Sequence, residues 1–363
     1  MRIVLDATPL LGRRTGIGRY THQLLEALPG ALARAGLEAD VAVSTWTARG
    51  GRLVDLPAGV RQVGPRAPAR LLRSFWLRGD RPRVETLVGR CDVFHGTNFV
   101  SPPTRGAREV VTVHDLTYEM LRDTVSADSK DYRVLVRRAL ARGAHVVTPS
   151  ASVAAQVRDF YGLEPGRVTP TPLGVDAEWF ATAAPDGATL ARLGLPETYL
   201  VFVGSLDPRK NLVRLLEAHA RARAADRGVP ALVLAGPAGR ETGLAERDDV
   251  VLTGWLEDAD LRTVVAGARA LVLPSLDEGF GLPALEALAC GRPVVAADIP
   301  TLREVTGEHS LLADPLDVDD LARALVEVTA VPDGAAERAA RRTHASGWSW
   351  ARCAEATVLA YLS

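Results

Sequence analysis

Two glutamates, Glu278 and Glu286, bracket seven residues in DEGFGLPALEALACG (277–291), among them Gly279, Gly281 and Pro283. Pro283 suits the first turn of a helix, and Gly291 with Pro293 stops it. Glu278 therefore falls in a turn and Glu286 about one turn into the helix. The glycines leave backbone N–H groups approachable. One carboxylate can accept hydroxyl hydrogens from one sugar ring while the other, several ångströms deeper, accepts from a second. That is the shape of a nucleotide-sugar site.

The next cationic group is Arg209-Lys210 in VFVGSLDPRKNL, followed by Asn211 at or near the N-cap of a helix. Two cations at a helix N-terminus suit a pyrophosphate. Lysine occurs only at Lys130 and Lys210; every other basic side chain besides histidine is arginine. A compact ammonium at 210 meets a phosphate as a point charge where a guanidinium fork does not fit. In VVLTGWLEDADL, backbone groups at Gly254-Trp255 can read a flat base edge, or form a plain strand–helix loop. Asp258-Ala259-Asp260 and Asp317-Val318-Asp319 imitate a D-x-D metal motif, but each sits where a helix starts, and capping explains them better. No metal site is expected.

In the first half, Gly12, Gly16 and Gly18 precede a helix and open its N-terminus to an anion. The third position of a dinucleotide fingerprint is Thr21 and no acid closes the second strand, so NAD binding is a poor reading. His95 in FHGTNF and His114 in VTVHDL each end a strand-like run, and Asp115 can orient a ligand. A lone histidine usually packs; two at strand ends on one side invite a sugar-binding role. Residues 66–83 hold six arginines interleaved with Leu71, Leu72, Phe75, Trp76 and Leu77. They read either as a solvated amphipathic helix or as one that meets anionic lipid head groups.

These residues must be held by regular elements. Apolar β-branched runs recur at 2–8, 40–46, 91–97, 109–115, 144–150 and 167–173, then at 199–205, 231–237, 250–256, 270–276, 293–299 and 310–315. Helical patterns lie between them at 18–35, 129–142 and 151–161, then at 211–225, 258–268, 282–290 and 317–329. This alternation predicts an α/β fold of two parallel sheets covered by helices. Such sheets bind ligands beyond the carboxyl ends of their strands, where all the residues above fall. The expected organisation is a first domain at 1–180, a linker at 181–194, a second domain at 195–345 and a final helix at 346–363. A chain of 363 residues is ample for two cores. A net charge of −1 offers no electrostatic footprint for nucleic acid. Three scattered cysteines without a CxxC argue for a reducing, cytoplasmic compartment. The start MRIVLDATPLLG is not a signal peptide, and no apolar run reaches the length of a membrane span.

With its E-x7-E pair in EGFGLPALEALACGRPVV, together with GSLDPRKNL, TGWLEDADL, GIGRY and VTVHD in order, the chain resembles the retaining glycosyltransferases of family 4 with the GT-B fold. The resemblance covers the whole chain. It implies two Rossmann-like domains facing across a cleft, with the last helix crossing back to the first. It implies that Glu286 holds the donor ribose, and that Glu278 with the N–H groups of Phe280, Gly281 and Leu282 holds the donor sugar. Arg209 and Lys210 would neutralise the diphosphate, helped by Gly16; His114 would sit by the sugar and Gly254-Trp255 by the base. Acceptor sites in this family lie on first-domain loops, here His95, Asn98 and Asp115. Ser205 stands where many members have an arginine, which leaves Arg209 as the substitute cation.

The implied reaction is retaining transfer of a hexose, mannose or glucose type, from a GDP- or UDP-sugar to a glycan, lipid-linked or small-molecule acceptor. Cations and helix N-termini would stabilise the leaving diphosphate without metal or other cofactor. No carboxylate is placed for double displacement, so front-side attack is expected. A sugar-nucleotide epimerase and a non-catalytic nucleotide-sugar-binding protein of the same fold are the alternatives. The subtype is most like bacterial mannosyltransferases of surface polysaccharide, with peripheral membrane contact through 66–83.

Overall fold

The computed structural model describes residues 1–48, 53–121, 127–241, 244, 247–330 and 332–363. They divide into two compact units, Met1–Gly174 with Trp350–Ser363, and Val175–Ser349.

The first unit carries seven strands: β1 (Arg2–Asp6), β2 (Asp40–Ser44), β3 (Arg61–Gln62), β4 (Val93–Gly96), β5 (Arg108–Thr112), β6 (His145–Thr148) and β7 (Val168–Pro170), in the order β3-β2-β1-β4-β5-β6-β7. The second carries six: β8 (Tyr199–Val203), β9 (Ala231–Ala235), β10 (Val250–Gly254), β11 (Ala270–Leu273), β12 (Val294–Ala297) and β13 (Leu311–Ala313), in the order β10-β9-β8-β11-β12-β13. Every pairing is parallel. Ile3 lies opposite both Val41 and Val93, and Leu200 opposite both Leu232 and Ala270. Each sheet therefore reverses its winding once, between β1 and β4 and between β8 and β11. Those reversals open the crevices where doubly wound sheets take ligands.

Each expected strand run holds a strand. Tyr199 to Phe202 are fully buried, as strands covered on both faces must be. β10, at the sheet edge, instead alternates between covered and open positions. The helix Leu282–Ala289 is buried at every position except Pro283, because it packs on β11 and β12 beneath the helix Ala335–Ser346.

Three local expectations need correction. The segment 181–194 belongs to the second unit and contains a helix, Gly187–Leu193, capped by Asp186 through the Thr189 N–H at 2.8 Å. Its composition reads as linker, yet Asp186 and the left-handed Gly194 give it both helix ends. Asp258 is the first helical residue rather than the cap, which is Glu257. The tail helix, Trp350–Leu362, starts later than 346 and lies in the first unit, along the helix Gly16–Arg34.

Candidate active site

In the second unit the two loops flanking the β8/β11 reversal carry the charged groups. After β8 a single 3₁₀ turn, Pro208–Lys210, is followed by Asn211 at φ +60° and then by the helix Leu212–Ala225. Asn211 is buried, and its side chain does not cap the helix as expected. Its Nδ2 donates to the carbonyls of Pro274 (3.0 Å) and Pro315 (2.6 Å), and its Oδ1 accepts from Arg214 (2.9 Å). That amide ties the lysine's turn to the loops after β11 and β13. Backbone adds to the tie, since Leu276 N–H donates to the Arg209 carbonyl at 2.9 Å.

After β11, Glu278 is 5% exposed. Its Oε1 accepts from Lys210 Nζ at 2.5 Å and from Ser275 Oγ at 2.7 Å, and its Oε2 lies 3.4 Å from Arg209. Arg209 also donates to the Asp277 carbonyl at 2.9 Å. Burial alone would raise the Glu278 pKa. The Lys210 ammonium, then the Arg209 guanidinium, outweigh it and hold the carboxyl down at about 2. Glu278 is thus held as a carboxylate, compensated in its buried position by the lysine beside it. Ser205, lacking the cation common at its position, donates to Asp207 at 2.6 Å.

Glycine is required at 281. Its φ is +93°, and a Cβ there would stand 2.5 Å from Leu302 Cδ2. This kink launches the helix Leu282–Ala289, whose first N–H groups have no partner inside the helix. Phe280 is buried edge-on against Trp348 at 5.4 Å, and Leu282 is buried beside it, so these two offer backbone rather than side chain. Glu286 is buried one turn on. Gly254 and Trp255 close the edge strand β10; the Gly254 carbonyl accepts from Gly236 N–H at 3.0 Å, and Trp255 Nε1 donates to Glu257 at 3.2 Å.

In the first unit, His114 is buried, with Nε2–H donating to the Thr97 carbonyl at 2.8 Å and the ring edge-on to Tyr20 and Phe99. Burial lowers its pKa against the pull of that carbonyl and of Asp115. The neutral ring therefore carries its proton on Nε2. Phe99 holds φ +58°, a region non-glycine residues seldom occupy, and stacks on Tyr132 at 4.7 Å. Asn98 beside it is partly exposed and keeps its Oδ1 buried without a hydrogen-bond partner. Gly16 is the first, exposed residue of the helix Gly16–Arg34.

One acceptor-side expectation, His95, does not survive, and Asp115 has a structural task of its own. His95 has no exposed surface, and both ring nitrogens are engaged at 2.8 Å, with Tyr361 and with Thr112. Burial, then His114, brings its pKa to about 3, so it is a neutral core residue joining the tail helix to the sheet. Asp115 accepts from the Thr117 N–H at 3.0 Å and so starts the short helix Thr117–Met120. Within 66–83 the helix Ala69–Trp76 buries Leu72 and Trp76 but leaves Leu71 and Phe75 each 51% exposed.

Sequence reasoning passed over Ser275 and Asp6, and read Asn211 only as a cap. Ser275 and the Asn211 amide carry no spacing signal. Asp6 ends β1 beside the first reversal and accepts from Thr8 N–H and Oγ; burial, against those bonds, pushes its carboxyl up to about 6. Among the described residues no three of His, Cys, Asp or Glu form a group that could hold a metal, and no helix is long and apolar enough to cross a membrane.

Comparison with known proteins matches a separate family to each half of the chain. Residues 14–179 match the family described as Glycosyltransferase Family 4, and residues 197–330 that described as Glycosyl transferases group 1. The O-antigen chain mannosyltransferase B of Escherichia coli is 28% identical over 99% of each chain. A D-inositol 3-phosphate glycosyltransferase of Actinosynnema mirum is 30% identical over 97% of this chain and 93% of its own. The sucrose-phosphate synthase of Thermosynechococcus elongatus shares the fold with a TM-score of 0.73 and 21% identity, over 99% of this chain and 98% of its own. The chain belongs to glycosyltransferase family 4 and is a glycosyltransferase of the GT-B fold.

Proposed function

We propose that the protein transfers a hexose, of the mannose or glucose type, from a GDP- or UDP-sugar with retention at the anomeric carbon and without a metal. The observation that carries this reading is the Lys210–Glu278 contact across the β8/β11 reversal. Lys210 and Arg209 are the groups that meet the negative charge growing on the departing diphosphate. Glu278, kept ionised by them, accepts hydrogen bonds from sugar hydroxyls, with the N–H groups of Phe280, Gly281 and Leu282 beside it. Glu286 takes the ribose and Gly254-Trp255 the base. The family resemblance adds Gly16 for the diphosphate and a neutral His114 for the sugar.

No carboxylate is assigned as nucleophile, so the reaction is written as front-side displacement. The bond from the anomeric carbon to the diphosphate oxygen breaks. The acceptor oxygen bonds on the same face, and its proton passes to the departing phosphate oxygen. The relative named a mannosyltransferase, similar over 99% of each chain, favours mannose, while the D-inositol 3-phosphate glycosyltransferases name no hexose. The acceptor class is a glycan, lipid-linked or small-molecule hydroxyl. Contact with a lipid surface through Leu71, Phe75 and the neighbouring arginines belongs to the same proposal; loss of vesicle retention in Phe75→Ser checks it.

The deciding experiment incubates the protein with UDP-, GDP- and dTDP-sugars plus acceptor extract and follows nucleotide release, with and without EDTA. Release with one donor that persists in EDTA, giving an α-linked product from an α-donor, is expected. Tight nucleotide binding without release from any donor would make it a binding protein. Loss of release in EDTA would return the D-x-D segments to consideration.

A further inference from the structure

At the amino-terminal edge of the first sheet, opposite the end that carries His114, lies a cavity of about 520 Å³. Arg108 opens β5, His145 opens β6, and Arg167 stands just ahead of β7; Arg105, Arg142 and Glu109 complete the polar wall. Arg142 is neutralised by Glu109, two bonds at 2.5 and 3.0 Å. Arg105, Arg108 and Arg167 have no carboxylate partner among the described residues. The side-chain hydrogen bonds of Arg108 and Arg167 bring no negative charge; the Arg105 main-chain N–H, in contrast, donates to the Glu85 carboxylate at 2.6 Å. Arg108 donates to the Ala360 carbonyl (3.2 Å) and Ser363 Oγ (3.1 Å), and Arg167 to the Ala144 carbonyl (2.8 Å). Arg167 Nε is buried with no partner at all.

The wall accordingly carries an excess of positive charge, Arg105, Arg108, Arg142 and Arg167 standing against Glu109 and the Glu85 carboxylate behind the 105–107 loop. Burial, then the Arg167 charge, lowers the Arg108 pKa. Burial, then Arg108 and Arg167, brings His145 to about 4, while its Nε2 meets Thr169 Oγ1 at 2.8 Å and its Nδ1 faces Ser363 Oγ at 3.4 Å. Gly106, Gly143 and Gly166 line the same space, and a Cβ at any of them would meet nothing within 4 Å. The floor is therefore open to a ligand several atoms across, and guanidinium forks match tetrahedral oxyanions.

We propose that this cavity binds a phosphate group, at a site separate from the loops that carry Lys210 and Glu278. The oxyanion bridges Arg105, Arg108 and Arg167. Because Arg108 also holds Ala360 and Ser363, occupancy clamps the end of the helix Trp350–Leu362 to β5–β7. The same chemistry comes from a soluble phosphate monoester or from a lipid head group.

The test titrates the full chain with inorganic phosphate by calorimetry at constant ionic strength, beside Lys210→Ala, Arg105→Ala and Arg108→Ala. Saturable binding that survives Lys210→Ala and weakens about tenfold in each arginine variant is expected, one charge-assisted contact being lost. The His145 ring, followed by NMR, should titrate at higher pH with phosphate than without. Arg105 is exposed on the rim, so its variant keeps the fold even if Arg108→Ala does not. Glycerol phosphate against phosphatidylglycerol vesicles, with phosphatidylcholine as blank, then assigns the source. Unchanged affinity in Arg105→Ala, loss of binding in Lys210→Ala, or an unmoved His145 titration would each overturn the site.

Discussion

Glu278 sits in a buried position that, on its own, would protonate it. Lys210 and Arg209 reverse that outcome, and the reversal has a pH signature. Its folded pKa of about 2 lies below the ordinary glutamate value of 4.5. The native state thus gains stability that is fully present above pH 4.5 and is lost as pH falls toward 2. The span corresponds to about 3 kcal/mol. Urea unfolding at a series of pH values should show this loss in the wild type and its absence in Glu278→Gln. Lys210→Ala removes the compensating charge and the leaving-group cation together. Turnover should fall by at least about a hundredfold, the size of one preorganised charge-stabilising donor, and near-normal initial rates would end its phosphate role. Glu286→Ala should chiefly weaken binding of the free nucleotide; unchanged affinity on titration would remove the ribose assignment. The residue types at 210, 278 and 286 were readable because a rare lysine and paired acids around glycines are unusual patterns. That Lys210 and Glu278 bond each other, with Ser275 and Asn211 fixing both loops, was not. The Lys210 and Asn211 contacts span 63 to 104 residues of chain and leave no local periodicity, and a serine three residues before a glutamate, as Ser275 is, carries no signal of its own.

The strands were legible because those buried on both faces need continuous apolar runs, and each expected run contains one. The two-residue β3 was not, since Arg61–Gln62 is polar and contributes only edge pairing to β2. Histidine at the end of a strand proved ambiguous for a physical reason. His95 and His114 share that local pattern, but His95 meets Tyr361 from the far end of the chain. If His95 is a core link between elements, Tyr361→Phe leaves a buried ring nitrogen unsatisfied. It should cost about 1–3 kcal/mol in chemical unfolding while leaving the rate constants of transfer near wild type. A large fall in acceptor affinity with unchanged stability would restore His95 to the acceptor side.

The first unit is assembled from two separate stretches of the chain, and its completeness depends on the second. The helix Trp350–Leu362 buries Cys353, Ala354, Val358, Ala360 and Tyr361 against that unit. It adds the Tyr361–His95 bond, the Arg108 bonds to Ala360 and Ser363, and a Cys353 Sγ–Thr171 carbonyl contact at 3.4 Å. The amphipathic tail was visible in the sequence. Its address came only from the family resemblance, which has the last helix cross back to the first domain, because amphipathicity says that a face is covered and not by what. Burial of this face is worth on the order of 5 kcal/mol at the usual gain per covered apolar side chain, comparable to the whole stability of many domains. A chain ending at Ser349 should therefore lose slow amide exchange in β1, β4 and β5, while Tyr199–Val203 of the second unit stay protected. Equal protection of β1 in the shortened and full chains would show that the first sheet stands without the helix. Loss of protection in both units together would show that the helix supports more than the unit it packs in.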